Sequence, residues 1–527
     1  MTELGTQEEL QLLALLVAAA ALLVLAWRID VPYPILLVAG GVAVGFVPGL
    51  PTLTLPPDVV LVGVLPPLLY SAAFFTGLRE LRRNARTISL LSFGLVTATT
   101  LGVAVVAHEA VGLSWAAAFV LGAIVSPTDP LAATSLGSRF GVSRKLTSIV
   151  EGESLVNDGS ALVLYRVAIA AALSGTFSVW DAGASLMLNV LGGVAVGLAV
   201  GVVIRELRRR VDNPPVEITI AFLSGYFAYL PAAALHVSGI LAVVTVGVFM
   251  GWHTPQLTTA QTRIQGFAFW QILTFVLNAM LFALVGLQLR PIVDRLAGTS
   301  WGSLIADAAV VLAAVIGARV LWVLLFTYLP GALRRGEFRK RGQFAAFIAW
   351  SGMRGAVTLA AALAVPLTTD AGTAFPDRDL IVFLSSAVVL VTLVGQGLTL
   401  PLVIRGLNME AVVDTTAKEA AKARIRAAEA GIARLEELVD EDWVNPDTVE
   451  RLRGMYGFRR NRFAARFDTD DDGAIEERSQ AYQRLRRELL AAEHDALVQM
   501  RNRGEIGEEV MREVQTALDF EDLRLDL

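Results

Sequence analysis

The sequence predicts an all-α integral membrane protein of about 13 transmembrane helices, with inverted repeats and two broken helices, followed by a helical C-terminal domain. Three observations lead there. The 527 residues are 55% hydrophobic with a mean hydropathy of +0.59, and only 18% carry charge. Apolar runs recur at about 20 residues, the length that crosses a hydrocarbon core. Charge is also segregated: the 117 residues from Ala411 hold 19 Lys+Arg and 27 Asp+Glu, leaving 25 and 22 for everything before them. The expected domains are therefore a membrane part over 1–405 and an acidic helical part over 406–527.

Composition also excludes. With no cysteine there is no disulfide framework, thiolate chemistry or cysteine-built metal site. His108, His236, His253 and His494 are too scattered for a histidine-built metal site. A net charge of −5 and an acidic tail argue against nucleic acid, which needs a concentrated basic face.

In order, the expected spans are 9–27, 33–50, 57–77, 87–109, 114–136, 147–172, 182–204, 215–234, 238–252, 265–288, 301–328, 343–366 and 379–403. Glu3, Glu8 and Glu9 precede the first run, Leu10 to Trp27, where a signal peptide would be basic. It reads as a retained helix. Arginines and lysines gather in every second connection: Arg28; Arg79, Arg82, Arg83 and Arg86; Arg139, Arg144 and Lys145; Arg205 and Arg208 to Arg210; Arg263; Arg334 to Arg341. Those connections are expected on the cytoplasmic side of the cell membrane, with the N-terminus outside and the tail inside.

The fifth span is interrupted by "SPTDP", Ser126 to Pro130, and the twelfth by the glycines of "WSGMRGAVTL", Trp350 to Leu359. Seven spans separate the two, so equivalent segments would run in opposite directions. That spacing is expected of inverted repeats with a binding site at the midplane. Beyond the membrane part, "TTAKEAAKARIRAAEAGIARLEELV" reads as an amphipathic helix, with further helices at 446–466, 476–502 and 505–519.

A charged side chain at the bilayer centre costs at least about 2.5–3.5 kcal/mol on insertion scales, so it must line a polar pathway or be paired. The sixth span places Ser154 and Asp158 on one helical face and Glu153 and Asn157 on its neighbour. In the fifth, Pro127 donates no hydrogen bond and Pro130 weakens the turn before it, freeing carbonyls such as that of Thr128 beside Asp129. Oxygen ligands from Asp158, Ser154, Thr128 and Asp129 suit a hard monovalent cation, held weakly enough to leave. One carboxylate can also carry a proton, but not both ions at once, and that competition is enough to couple two fluxes. Arg354, in the twelfth span, is expected to be neutralised by Glu153 in a structural pair. Arg319 and Arg166 are expected to snorkel or pair elsewhere.

"SPTDPLAATS", "GESLVNDGSALVLY", "SGMRGAVTLA" and "LPPLLYSAAF" resemble the hallmark segments of the monovalent cation:proton antiporter-1 family, the sodium/proton exchangers, over roughly residues 10–405. The tail is similar to that of the bacterial branch. The resemblance implies a thirteen-helix antiporter fold, a homodimer, and no cofactor beyond the transported Na+ and H+. By position, Asp158 resembles the shared ion and proton carboxylate and Asn157 its paired asparagine. Thr128, Asp129 and Ser154 resemble ion-site residues, and Glu153 and Arg354 the buried salt bridge. Asn before the carrier Asp implies electroneutral exchange. Where many relatives have an acid after "LPPLLY", this chain has Ser71, which leaves Na+ against K+ open.

Two rival classes could use some of the same residues. An intramembrane aspartyl protease would use Asp129 and Asp158, but the Tyr-Asp and Gly-x-Gly-Asp pairs of that class are absent. A cation channel would show a filter loop rather than titratable sites in crossed helices. In the tail, Asp468, Asp470 and Asp472 fit the start of a calcium loop, but Ser479 stands where the bidentate Glu belongs. An acidic solvated linker is the favoured reading.

Overall fold

The computed structural model describes residues 17, 20–26, 28, 29, 33–47, 59–174, 179–296, 298–328, 338–369, 372–407, 413–465 and 474–525. Among them there is no β-strand, only an isolated bridge between Thr368 and Ala374. The chain divides into two compact units, Met1–Val412 and Val413–Leu527.

In the first unit the helices are α1 Tyr33–Gly45, α2 Leu65–Phe75, α3 Leu78–Arg83, α4 Ala85–Val111, α5 Trp115–Val125, α6 Leu131–Arg139, α7 Arg144–Ser174 and α8 Val179–Arg208. They continue as α9 Pro214–Ala234, α10 Gly239–Leu257, α11 Ala260–Arg295, α12 Trp301–Tyr328, α13 Phe338–Trp350, α14 Ala356–Leu363 and α15 Arg378–Gly406. Eight of these are long and apolar enough to cross a membrane: α4, α7 to α12 and α15. Helices α1, α2 and α5 are apolar but shorter. The expected first span, 9–27, lies largely outside the described residues.

Local chemistry starts the helices where the sequence needs them. Ser114, Asn213, Ser238 and Thr259 each accept, on a side-chain oxygen, the backbone N–H three residues on, capping α5, α9, α10 and α11. The fifth span is split into α5 and α6 by the extended run around Pro127 and Pro130. The twelfth is split into α13 and α14 at residues 351–355. Both breaks expected from the sequence are present.

Buried apolar residues form three main clusters. One, around Tyr70, Ile204, Ala228, Val243 and Trp270, joins α2, α8, α9, α10 and α11. The others, around Val38, Leu136, Phe347 and Leu393 and around Leu121, Tyr165, Val311 and Leu384, gather α4 to α7 and α12 to α15. Helix α11 links the groups through α1: a Cβ on Gly286 would overlap the Val38 carbonyl and Val42 amide, and one on Gly41 the Ala283 carbonyl. Glycine is therefore required where these two backbones cross. Leu188, Val203, Leu321 and Leu402 are exposed on the outer surface, apolar side chains suited to lipid.

The second unit contains α16 Val413–Leu438, α17 Pro446–Ala465, α18 Ala474–Asn502 and α19 Glu508–Leu525. Arg453 makes two parallel hydrogen bonds to Glu436, 2.8 and 2.9 Å, tying α17 to α16. Arg486 pairs with Glu521, and Arg487 lies 3.7 Å from Asp522, between α18 and α19. Asp468, Asp470 and Asp472 lie outside the described residues.

Candidate ion-binding site

The two helix breaks meet. The Asp129 amide donates to the Met353 carbonyl at 2.8 Å, and Arg354 Nε donates to the Val125 carbonyl at 2.9 Å, so each break satisfies backbone that the other has left open. Asp129 also caps α6, its Oδ1 accepting the Leu131 amide at 2.9 Å. A Cβ on Gly355 would overlap the Asp129 carboxylate, so this crossing requires glycine.

Helix α7 runs past the crossing and presents the four polar residues expected of it. Thr128 is their hub. Its hydroxyl accepts a hydrogen bond from Asn157 Nδ2 at 2.9 Å and lies 3.3 Å from Glu153 Oε1 and 3.4 Å from Ser154 Oγ. With a single proton, that hydroxyl donates to one of the last two at a time. Ser92 of α4 donates to the Glu153 carbonyl at 3.0 Å, and Ser160 donates to those of Ser92 and Asn157, fixing the rotation of α7 against α4. The Asn157 Oδ1 is buried without a hydrogen-bond partner among the described residues.

The buried ion pair differs from expectation. Glu153 is held by Arg319 of α12, not by Arg354: two parallel hydrogen bonds of 2.5 and 3.0 Å join the groups, each 1% exposed. Arg319 Nε also donates to the Ile348 carbonyl at 3.0 Å, so one guanidinium ties α7, α12 and α13 together. Arg354 instead serves carbonyls, those of Val125 and Gly352, while its amide donates to Thr392 Oγ1 at 3.1 Å. The reason is position: Arg354 lies inside a break, beside the carbonyls left at the C-terminal ends of α5 and α13, where a cation is favoured. Depth along the helix could have revealed Arg319, which lies nine residues from the end of a 28-residue apolar helix, too deep to snorkel. A second buried pair was also missed. Arg208, expected in a cytoplasmic connection, is buried 3.3 Å from Glu217 and hydrogen-bonds Thr254.

Asp158 is 9% exposed and makes no hydrogen bond or ion pair with any described residue. It lines a cavity of about 680 Å3 together with Thr128, Asp129, Ser154 and Ser71. The cavity reaches out past Ser148 and Glu151 to Glu80 and Arg144. There Arg144 lies 3.7 Å from Glu80, and Ser148 donates to Glu80 at 3.1 Å. Among the described residues no three His, Cys, Asp or Glu side chains gather to hold a resident metal ion. The cavity thus brings the carboxylates of Asp158 and Asp129 together with the hydroxyls of Thr128, Ser154 and Ser71.

The family model described as sodium/hydrogen exchanger, transmembrane, matches residues 12–406. The chain is 37% identical over 526 residues to an uncharacterized Na+/H+ exchanger of Mycobacterium bovis, covering 98% of this chain and 95% of that protein. It is 32% identical over 427 residues to a sodium, potassium, lithium and rubidium/H+ antiporter of Bacillus pumilus, covering 78% and 63%. In fold it matches the sodium proton antiporter MjNhaP1 of Methanocaldococcus jannaschii with a TM-score of 0.59 at 18% identity, covering 78% of this chain and all of that one. The protein is a transporter rather than an enzyme, and it belongs to the sodium/hydrogen exchanger family of cation/proton antiporters.

Proposed function

We propose that this protein exchanges Na+ or Li+ for H+ across the cell membrane, one for one, with the two ions competing for Asp158. The observation that carries the reading is a buried carboxylate that lines a cavity and pairs with no cation among the described residues. Thr128 and Ser154 supply hydroxyl oxygens beside it, and Asp129 holds the broken helix that brings Thr128 there. Their weak, all-oxygen field suits a cation that must be released. A site bearing Na+ and a site bearing H+ then carry the same charge, which makes the cycle electroneutral. Asn157 fixes Thr128, while Glu153 with Arg319, and Arg354 with its carbonyls, hold the crossing rather than the ion.

In this reading the open mouth faces the cytoplasm and the N-terminus lies outside, an orientation supported by the basic residues Arg79 to Arg86 and Arg144 near the mouth. In this reading the protein works as a homodimer in the bilayer, and the α16–α19 unit is a cytoplasmic regulatory domain. A K+/H+ antiporter is the second reading, favoured by Ser71 at a position where an acid would tighten the cation shell. Dye-quench assays in proteoliposomes with Na+, Li+ and K+ over a pH series test both. Dequenching with Na+ or Li+ supports the first reading; a response to K+ alone overturns the substrate assignment.

A further inference from the structure

One part of the cavity wall is formed by α11. Gln271, Thr274, Phe275 and Asn278 all line the cavity, and their spacing of three, four and seven residues puts them on one helical face. Phe267 of the same helix meets Phe75 edge-on, with ring centres 5.8 Å apart, next to the Gly77 and Glu80 mouth. From Phe267, Asn278 therefore lies roughly 16 Å deeper along the helix, at 1.5 Å per residue. Leu277 and Leu281 pack with Ala360 of α14, and Thr358 of α14 is another buried residue of the cavity wall.

Asn278 is 7% exposed, yet its carboxamide hydrogen-bonds none of the described residues. Lining the cavity rather than sealed in the packed interior, that amide is free to take a partner from the cavity itself. Asp158, with no hydrogen bond to any described residue, lines the same cavity. Ser71, on the α2 side of the cavity, offers only a hydroxyl. A carboxamide oxygen is a hard neutral donor of the kind that coordinates alkali and alkaline-earth cations.

Resting on the antiporter reading above, we propose that Asn278 Oδ1 is a further ligand of the transported monovalent cation and sets its affinity, acting with Asp158 as a neutral oxygen. The amide turns its oxygen inward when the cation is bound. When the site is protonated, it can turn its NH2 toward water or Asp158 instead.

The test is Na+-driven exchange by the full chain in proteoliposomes, comparing wild type, Asn278→Ala and Asn278→Asp, with Asp158→Asn alongside. Loss of one neutral ligand in Asn278→Ala is expected to raise the apparent KM for Na+ by roughly fivefold or more while the maximal rate changes little. Asn278→Asp, which restores the oxygen and adds charge, is expected to bring KM to or below the wild-type value. An Asn278→Ala protein with wild-type KM overturns the assignment, as does a fall in maximal rate without a change in KM. If Asn278→Ala does not fold, Asn278→Asp decides: a KM above that of wild type overturns it. Absence of Na+-driven exchange by the wild type itself overturns the antiporter reading, and this assignment with it.

Discussion

Glu153 and Asp158 stand five residues apart on one helix and do opposite work, because one has a cation and the other has space. Glu153 is locked by Arg319 in two hydrogen bonds and is not available to an ion. Asp158 faces the cavity with no such partner. Removing one member of a buried pair leaves the other charge uncompensated, so Arg319→Ala is expected to destabilise the fold by about 3–5 kcal/mol, whereas Glu153→Gln with Arg319→Gln recovers much of that. Thermal melts in detergent check it; equal Tm values for the single and double variants would contradict the structural role. Thr128→Val removes the hub of the oxygen network and is expected to lower Na+ affinity roughly tenfold or less, at about 1 kcal/mol for a lost hydrogen bond, read as KM in proteoliposomes. At this scale the sequence was informative about what would otherwise be unfavourable. Carboxylates and prolines inside apolar runs need a reason, and that singled out Thr128, Asp129, Ser154, Asn157 and Asp158 as candidates, of which the structure brings Thr128 beside Ser154 and Asn157. It did not identify the partner of Glu153, because Arg319 reads as able to snorkel although it lies too deep in its helix for that. Asn278 gave no signal, since a lone carboxamide in an apolar helix is cheap enough to be structural.

Among the elements, the decisive one is the crossing of the two breaks. Asp129 and Arg354 each reach into the other segment's backbone, and Gly355 allows the close approach. Gly355→Ala is expected to reduce exchange severely, with a loss of about 1–3 kcal/mol in stability, because its Cβ would displace Asp129. Gly102→Ala, where nothing lies within 4 Å of the added carbon, is the control and should be neutral. If both variants transport alike, the crossing does not constrain the site. Spans and breaks were legible because proline, glycine and runs of about 20 apolar residues act locally. The meeting of the breaks was suggested only by their spacing. The π-helical turns in α4 and α15, at Leu90–Leu95, Ala107–Val111 and Thr392–Gln396, had no visible sequence signal, being local adjustments of helices to their neighbours.

At the scale of the whole molecule, the two units answer to different physics. The membrane unit is held by apolar contact, close glycine crossings and a few buried charges, while the α16–α19 unit combines a small apolar core, with Ala428, Val449, Phe463 and Leu490 buried, with exposed pairs such as Arg453 with Glu436. The Arg453 hydrogen bond holds the Glu436 carboxyl below its ordinary range. The pair's small contribution is therefore present above the unfolded carboxylate value and lost as pH falls through the depressed one. Glu436→Gln should accordingly lower the Tm of that unit slightly at neutral pH and not at strongly acid pH; an equal shift at both would contradict the pairing. For the membrane unit, the central claim is that one carboxylate serves both ions. The most direct test is the apparent KM for Na+ in proteoliposomes across a pH series, for wild type and Asp158→Asn. The account predicts that KM rises with proton concentration at constant maximal rate in wild type, and that Asp158→Asn abolishes exchange. A KM independent of pH, or undiminished exchange by Asp158→Asn, would contradict it.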